Sequence, residues 1–240
     1  MNKRLDIAVQ DKGVVNSRNK AQDLIKRGLI TVNKEVILKP STLVSESDEI
    51  NARDIPRFVG RGGEKLEAAL LAWDINVTGK VIADIGSSTG GFTDCLLSRG
   101  AQKIYAIDVG TDQLDESLRN DERIIVMEKT DVRRVSLPEL VDMAVVDISF
   151  ISLTLVFKHI NQIVRKGGEI ILLAKPQFEV GRDEAKKVKG VVRDKVLQKK
   201  AVDNVIDSAE KNGFTFFDMI PSPILGGDGN KEFLLHLKKN

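Results

Sequence analysis

The sequence predicts an α/β chain: a large Rossmann-like domain with a sheet of about seven strands, behind a small α+β module. Three observations carry this. From residue 64 onward, strand-like apolar runs alternate with helical patterns, which builds a mostly parallel sheet with helices on both faces. The last two strand-like runs are joined by PSPILGGDGN, too short for a crossover helix, so the sheet ends in an antiparallel pair. Residues 1–45 hold nine Lys/Arg against four Asp/Glu, a net +5, whereas the whole chain carries only +2. A length of 240 residues accommodates one large and one small domain, and the expected division is 1–55, a linker over 56–63, and 64–240.

In the small module, Arg4 to Gln10 reads as a first helix stopped by Gly13. Ser17 is placed to cap a second over Arg18 to Arg27, with Ala21, Leu24 and Ile25 on one face and Gly28 as its stop. LITVNKEVIL is two β-rich runs about an Asn33-Lys34 turn, and VSESDEI adds a further turn and strand. NARDIPRFVGRGG has Pro56, three glycines and no periodicity, so it reads as linker.

In the large domain, strands are expected at Val81–Ile85, Lys103–Asp108, Arg123–Met127, Asp142–Asp147 and Glu169–Lys175. Crossover helices are expected near Gly91–Arg99, Asp112–Arg119 and Ser152–Lys166. A long amphipathic helix over Asp194–Asn212 precedes the closing strands Phe214–Ile220 and Lys231–Leu237.

Composition narrows the function classes. Cys95 is the single cysteine, expected in the core, so an intrachain disulfide and a multi-cysteine zinc site are excluded and no metal is expected. No run approaches the ~18 apolar residues of a spanning helix, and MNKRLDIAVQ is unlike a signal peptide, so a cytoplasmic protein without membrane partners is expected. No oligomeric state follows, and a monomer is compatible with the sequence. Trp73 and Tyr105 read as core, leaving aromatic stacking with little expected role.

The chemistry begins at DIGSSTGGFTD, a glycine-rich turn from strand to helix that would let a cofactor approach the backbone. The candidate contacts are Asp84, Gly86, Ser87, Ser88, Thr89, Gly90, Gly91 and Phe92, joined by Asp108 and Val109 at the end of the second strand. Asp108 lies 22 residues after Gly86, close to the offset at which an acid meets ribose hydroxyls, so an adenosine-containing cofactor is indicated. NAD and S-adenosylmethionine both satisfy this. The turn lacks the second glycine of G-x-G-x-x-G, and Asp84 would repel a pyrophosphate while suiting the amine-bearing end of S-adenosylmethionine.

Asp147 in VVDISF and Lys175 in LLAKPQFE end apolar strands at the edge where such sheets bind ligands, though a structural ion pair would also place them there. Lys65 in GRGGEKLEAAL and Glu232 in GDGNKEFLLHL, each taken alone, read as surface charges. The segments RLDIAVQDKGVVNSRNKAQDLIKRGLITVNKEVILKP, GRGGEKLEAAL, DIGSSTGGFTDCLLSRGAQKIYAIDVG, VVDISFISL, AKPQFEVGR, KGVVRD and SPILGGDGNKEFL together closely resemble the TlyA family. Its members are bacterial ribosomal RNA 2′-O-methyltransferases, often labelled haemolysins, with an N-terminal S4 domain and an FtsJ-like methyltransferase domain. The resemblance spans nearly the whole chain and implies a catalytic set of Lys65, Asp147, Lys175 and Glu232.

A ribose 2′-hydroxyl is a weak acid, so a base that takes its proton would aid attack on a sulfonium methyl group. Lys175 is the expected base, a role that would need a lowered pKa, with Asp147 and Glu232 orienting the lysines and Lys65 steering the hydroxyl. Arg4, Arg18, Lys20, Lys26 and Arg27 are the expected phosphate contacts of the S4-like module to ribosomal RNA or ribosomal subunits. The sequence also departs from the family pattern: Gly60 and Ser87 replace a usual serine and alanine, VGTDQLDESL differs from the usual segment, and Asp131 stands for asparagine beside the expected adenine site. Two other readings therefore stand beside the enzyme: an RNA- or ribosome-binding protein with a weakened catalytic site, and a membrane-active haemolysin.

Overall fold

Residues 3–15, 18–53, 57–181, 184, 190–226 and 229–240 are described by a computed structural model, apart from the side chains of Asn19, Lys20 and Asp23. The chain divides into two units, Met1–Pro56 and Arg57–Asn240. In the first, β1 (Lys3–Arg4), α1 (Leu5–Asp11), α2 (Arg18–Lys26), β2 (Ile30–Val32), β3 (Glu35–Val36), β4 (Leu43–Val44) and β5 (Ile50–Ala52) surround a core of Leu5, Val9, Ala21, Leu24, Ile25, Ile30 and Val44. Strand β2 pairs antiparallel with both β3 and β5. The turn from β2 to β3 places Asn33 and Lys34 at φ +51° and +71°, the left-handed pair that a two-residue hairpin needs. The expected Ser17 cap lies outside the described residues.

The second unit contains α3 (Gly62–Ala72), β6 (Val81–Ile85), α4 (Gly91–Ser98), β7 (Lys103–Ile107), α5 (Glu116–Arg119), β8 (Ile124–Met127), β9 (Val141–Val146), α6 (Phe157–Ile163), β10 (Val164–Ala174), α7 (Pro176–Glu179), α8 (Lys195–Lys211), β11 (Phe214–Pro221) and β12 (Phe233–Lys239). The described strands form a seven-stranded sheet in the order β11-β12-β10-β9-β6-β7-β8. It is parallel from β10 to β8 and antiparallel where β12 joins β10 and β11. Because successive strand residues face opposite sides, Ile82, Ile104, Met143, Val145 and Ile171 share one core with residues of α3 and α4. Ala83, Tyr105, Ala144, Val146 and Leu172 share the other with α6 and α8. Each fully buried large side chain, such as Phe157 or Leu96, contributes ~1.5–3 kcal/mol.

Three expectations change in detail. The segment read as linker is partly core: Phe58 is buried, and α3 begins at Gly62. A Cβ on Gly63 would lie 2.3 Å from the Phe58 ring, and one on Gly91 would lie 2.9 Å from the Gly63 nitrogen. These glycines serve close packing of α3 on α4, where the sequence showed only loop-like composition. The expected Asp112–Arg119 helix shortens to α5, because Glu128 accepts the N–H groups of Asp112, Gln113 and Leu114 at 2.8, 3.0 and 3.4 Å and holds that stretch as a loop. The expected Ser152–Lys166 helix splits into a 3-10 turn, Leu153–Leu155, and α6, which ends where Val164 pairs with Val141. Helix α8 starts at Asp194, whose carboxylate accepts from the nitrogens of Val196 and Leu197. Cys95 is buried and unbridged. Among the described residues, no helix is long and apolar enough to cross a membrane, and no group of His, Cys, Asp and Glu could hold a metal ion.

Candidate functional site

At the carboxyl ends of β6, β7 and β9 the sheet opens into a cleft of about 310 Å³. Ile85, Ile107, Val109, Val132, Ile148 and Ile151 supply apolar walls, and its charged lining is Asp108, Asp131, Asp147 and Arg133. Three carboxylates against one guanidinium favour a cationic ligand. Gly86, at φ +85°, brings the turn against β9; a Cβ there would lie 2.3 Å from the Asp147 carbonyl oxygen. Ser88 takes φ +47°, a left-handed conformation that costs a side-chain-bearing residue ~1–2 kcal/mol.

The turn's amides are taken up within the fold. Gly86 and Ser87 donate to the Ile107 carbonyl at 2.8 and 3.1 Å, Gly90 donates to Ser87, and Ser88 donates to Asp108 Oδ2 at 2.8 Å. Asp108 Oδ1 also accepts from Gly110 at 2.7 Å, which fixes the carboxylate at the cleft wall. The turn therefore does not present this row of N–H groups to a pyrophosphate. Asp131 accepts the Arg133 guanidinium on both oxygens at 2.5–3.0 Å, and this pairing holds its pKa down at about 2.

Next to the cleft, the ends of neighbouring strands β12, β10 and β9 place Glu232, Lys175 and Asp147 side by side. Lys175 Nζ lies 2.6 Å from Asp147 Oδ1 and donates to Ser149 Oγ at 2.8 Å. Lys65, one turn into α3, donates from Nζ to Glu232 Oε2 at 2.5 Å. A Cβ on Gly62 would lie 3.9 Å from Asp147 Oδ2, so the start of α3 is packed against the Lys175–Asp147 pair. Lys65, Lys175 and Glu232 are only 8%, 8% and 4% exposed, which sets them apart from the solvated charges that Lys65 and Glu232 resemble when read singly.

Asp84 sits elsewhere than expected. Ile85 lines the cleft, so strand alternation turns Asp84 to the opposite face, against α4. There it is fully buried, accepts the Thr93 hydroxyl on Oδ2 at 2.6 Å, and leaves Oδ1 without a hydrogen-bond partner. Burial foremost, helped by the negative charges of Asp147 and Asp108, pushes its pKa up to about 7. Gly86, Ser88, Asp108, Val109 and Asp131 of the expected cofactor set do line the cleft. Ser87, Thr89, Gly90, Gly91 and Phe92 do not; Phe92 belongs to the core under α4, and Gly90 and Gly91 are packing positions.

In the N-terminal unit, Arg4 and Arg18 have an internal partner. Asp6 is completely buried and accepts Arg4 Nε and Nη2 at 3.0 Å each, Arg18 Nε at 2.9 Å and Gln22 Nε2 at 2.7 Å. The two arginine side chains remain 40% and 48% exposed, so each guanidinium is both anchored and reachable. Lys26 and Arg27 are exposed at the end of α2, and the Lys20 side chain lies outside the described set.

The sequence reading missed Ser149, Arg133 and Phe150. Phe150 is 89% exposed, lines the cleft and has φ +70°, a strained value for a bulky residue. Its ring lies 5.5 Å from that of Phe178, which in turn has Lys175 Nζ 6.0 Å from its centroid. In the sequence it sits between a predicted strand and a predicted helix, and only its position just after Asp147 signals a role.

Comparison with known proteins points to one family. The family model of FtsJ-like methyltransferases matches residues 58–239, and that of the S4 domain matches residues 3–50. Hemolysin A of Brachyspira hyodysenteriae is 39% identical over 241 residues, spanning 97% of this chain and 98% of that protein. The 16S/23S rRNA (cytidine-2'-O)-methyltransferase TlyA of Mycobacterium tuberculosis is 39% identical over 241 residues, spanning 98% and 89%. A solved Streptococcus thermophilus chain, described as a candidate hemolysin, superimposes with a TM-score of 0.77 at 37% identity, covering 100% of this chain and 89% of its own.

Proposed function

The chain belongs to the FtsJ-like methyltransferases of the TlyA type, with an S4 domain at its N-terminus, and from that premise we propose that it methylates the ribose 2′-hydroxyl of a cytidine in ribosomal RNA, using S-adenosylmethionine. The observation that carries the reading is the meeting of Glu232, Lys175 and Asp147 at adjacent strand ends, with Lys65 on Glu232, beside a cleft rich in carboxylates.

The cleft fits the cofactor. Its size lies at the lower end of ligand pockets, its apolar walls suit an adenine ring, and Asp108 is held where ribose hydroxyls can donate to it. The excess of carboxylates suits a sulfonium, and the internally bonded turn amides disfavour a dinucleotide. When bound, S-adenosylmethionine supplies an electrophilic methyl group. Gly86, Asp108 and Val109 would hold it, with Asp131 and Arg133 at the adenine side. Asp84 acts from behind the turn by anchoring α4 through Thr93.

The protein's own groups handle the hydroxyl. Lys175 accepts the 2′-hydroxyl proton at Nζ as the oxygen becomes nucleophilic, and passes it to solvent afterwards. Asp147 lies beside Lys175 and balances the ammonium that results. Lys65, held by Glu232, steers the oxygen and stabilises its developing charge. Phe150, exposed at the cleft, offers a face on which the target base can stack. The S4 unit docks the RNA through phosphate contacts from Arg4, Arg18, Lys26 and Arg27, set by position and charge.

Mass spectrometry of ribosomal RNA fragments after incubation with S-adenosylmethionine tests the reading. Wild-type protein adds one methyl group to a cytidine ribose, and Lys175→Ala lowers the rate ~100-fold or more. A Lys175→Ala protein that methylates at the wild-type rate removes Lys175 from the role of base.

A further inference from the structure

The two buried lysines are held differently. Lys65 makes its hydrogen bond to a carboxylate, Glu232. Lys175 makes its hydrogen bond to a neutral hydroxyl, Ser149 Oγ, at 2.8 Å. Asp147 Oδ1 is closer to Lys175 Nζ, at 2.6 Å, but lies outside hydrogen-bonding geometry, so that contact is an ion pair. The directional bond of the Lys175 amine is thus the one to Ser149.

Direction matters for a base. A neutral amine has two N–H groups and one lone pair at tetrahedral angles, so fixing an N–H confines the lone pair. Ser149 can accept that N–H from the amine and from the ammonium alike, and it adds no negative charge at Nζ. Ser149 lies just past β9, two residues after Asp147, and both line the cleft. We propose that Ser149 is a positioning residue of the methyl-transfer site, whose hydroxyl holds one N–H of Lys175 so that the lone pair is directed at the ribose hydroxyl.

The inference rests on the reading of Lys175 as the base, and its test separates the two. Methyl transfer to a ribosomal RNA fragment is measured for wild type, Ser149→Ala, Ser149→Thr and Lys175→Ala, together with S-adenosylmethionine affinity by calorimetry. Ser149→Ala should lower kcat about 10-fold, since a misdirected reacting group loses up to ~100-fold. KM for RNA should stay within about twofold of wild type, because the lost bond is to Lys175, and a rise in cofactor Kd large enough to account for the lost rate would overturn the proposal. Ser149→Thr keeps the hydroxyl at an exposed position and should recover most of the rate. Loss in KM alone, a Thr variant no better than Ala, or a Ser149→Ala rate equal to wild type overturns the proposal, whether or not Lys175→Ala is inactive. A Lys175→Ala protein as active as wild type overturns the parent reading and this one together.

Discussion

Among the described residues, the two units each bury one aspartate completely, and they treat it in opposite ways. Asp6 receives four hydrogen bonds from Arg4, Arg18 and Gln22, and the Arg4 bond foremost holds its carboxyl well below the usual range. Asp84 receives the Thr93 hydroxyl, has Oδ1 unpartnered, lies near Asp147 and Asp108, and is pushed up to about 7. Two carboxylates closed to solvent give a fixed anion in one place and a titrating acid in the other. Desolvation favours the neutral acid at both and is foremost at Asp84, whereas at Asp6 the Arg4 bond outweighs it. The contrast suits the two units: a buried anion anchors arginines that remain reachable for RNA, while a neutral acid behind the cofactor turn limits repulsion among its carboxylates.

The pH dependence of stability is the strongest test of this contrast. In the unfolded chain Asp84 loses its proton near 3.8, and in the folded unit it keeps it to about 7. The folded state therefore binds more protons between these values, so the Asp84 contribution is full below pH 4 and is lost as pH rises through 7. The ceiling is on the order of 4 kcal/mol. Other carboxylates with lowered pKa, such as Asp131 and Asp121, act in the reverse sense, so the informative quantity is the difference between wild type and Asp84→Asn. Urea unfolding followed by Trp73, the single tryptophan and a member of the large unit, should show the variant gaining several kcal/mol relative to wild type between pH 5 and pH 8. An unchanged difference at the two pH values would mean that Asp84 is ionised throughout.

Asp6→Ala probes the other side. Breaking a buried pair costs ~3–5 kcal/mol, but Arg4 and Arg18 are about half exposed and recover hydration, so a loss of ~2–3 kcal/mol is expected. Residues 1–56 contain no Phe, Trp or Tyr to report the loss, so it is read as faster amide exchange in α1 and α2. The sign of its pH dependence is opposite to that of Asp84: the Asp6 contribution is present above pH 4 and fades only as acid protonates the folded carboxylate. Stability of the N-terminal unit that is indifferent to Asp6→Ala would show that the four bonds merely offset desolvation.

How far the sequence reveals these features depends on how local their causes are. The parallel strands were legible because apolar runs and turn residues are local signals, and Val81–Ile85 was placed to the residue. Lys175 and Asp147 stood out as charges ending apolar strands, whereas Lys65 and Glu232 needed the family resemblance, because only the fold joins residues 167 positions apart. Gly62 and Gly63 were read as linker and Gly91 as a cofactor contact, since a glycine that serves close packing has the same letter as one in a loop or a binding turn. The burial of Asp84 and the four bonds on Asp6 follow from which way a side chain faces, and that is set by neighbours distant in sequence.

The smallest expected effect tests the contrast at its most local point. Thr93 is fully buried, so Thr93→Val keeps shape while removing the hydroxyl that serves Asp84 Oδ2. At pH 5, where Asp84 is neutral, the loss is that of one ordinary hydrogen bond, about 1 kcal/mol. At pH 8 the folded carboxylate is charged and the same hydroxyl stabilises it more strongly, so the cost should rise by about a further 1 kcal/mol. In an Asp84→Asn background nothing titrates at this position, and the cost of Thr93→Val should be the same at both pH values. A pH-dependent cost that persisted in the double variant would place the titrating group elsewhere than Asp84, and the difference between the two buried aspartates would then be one of position alone.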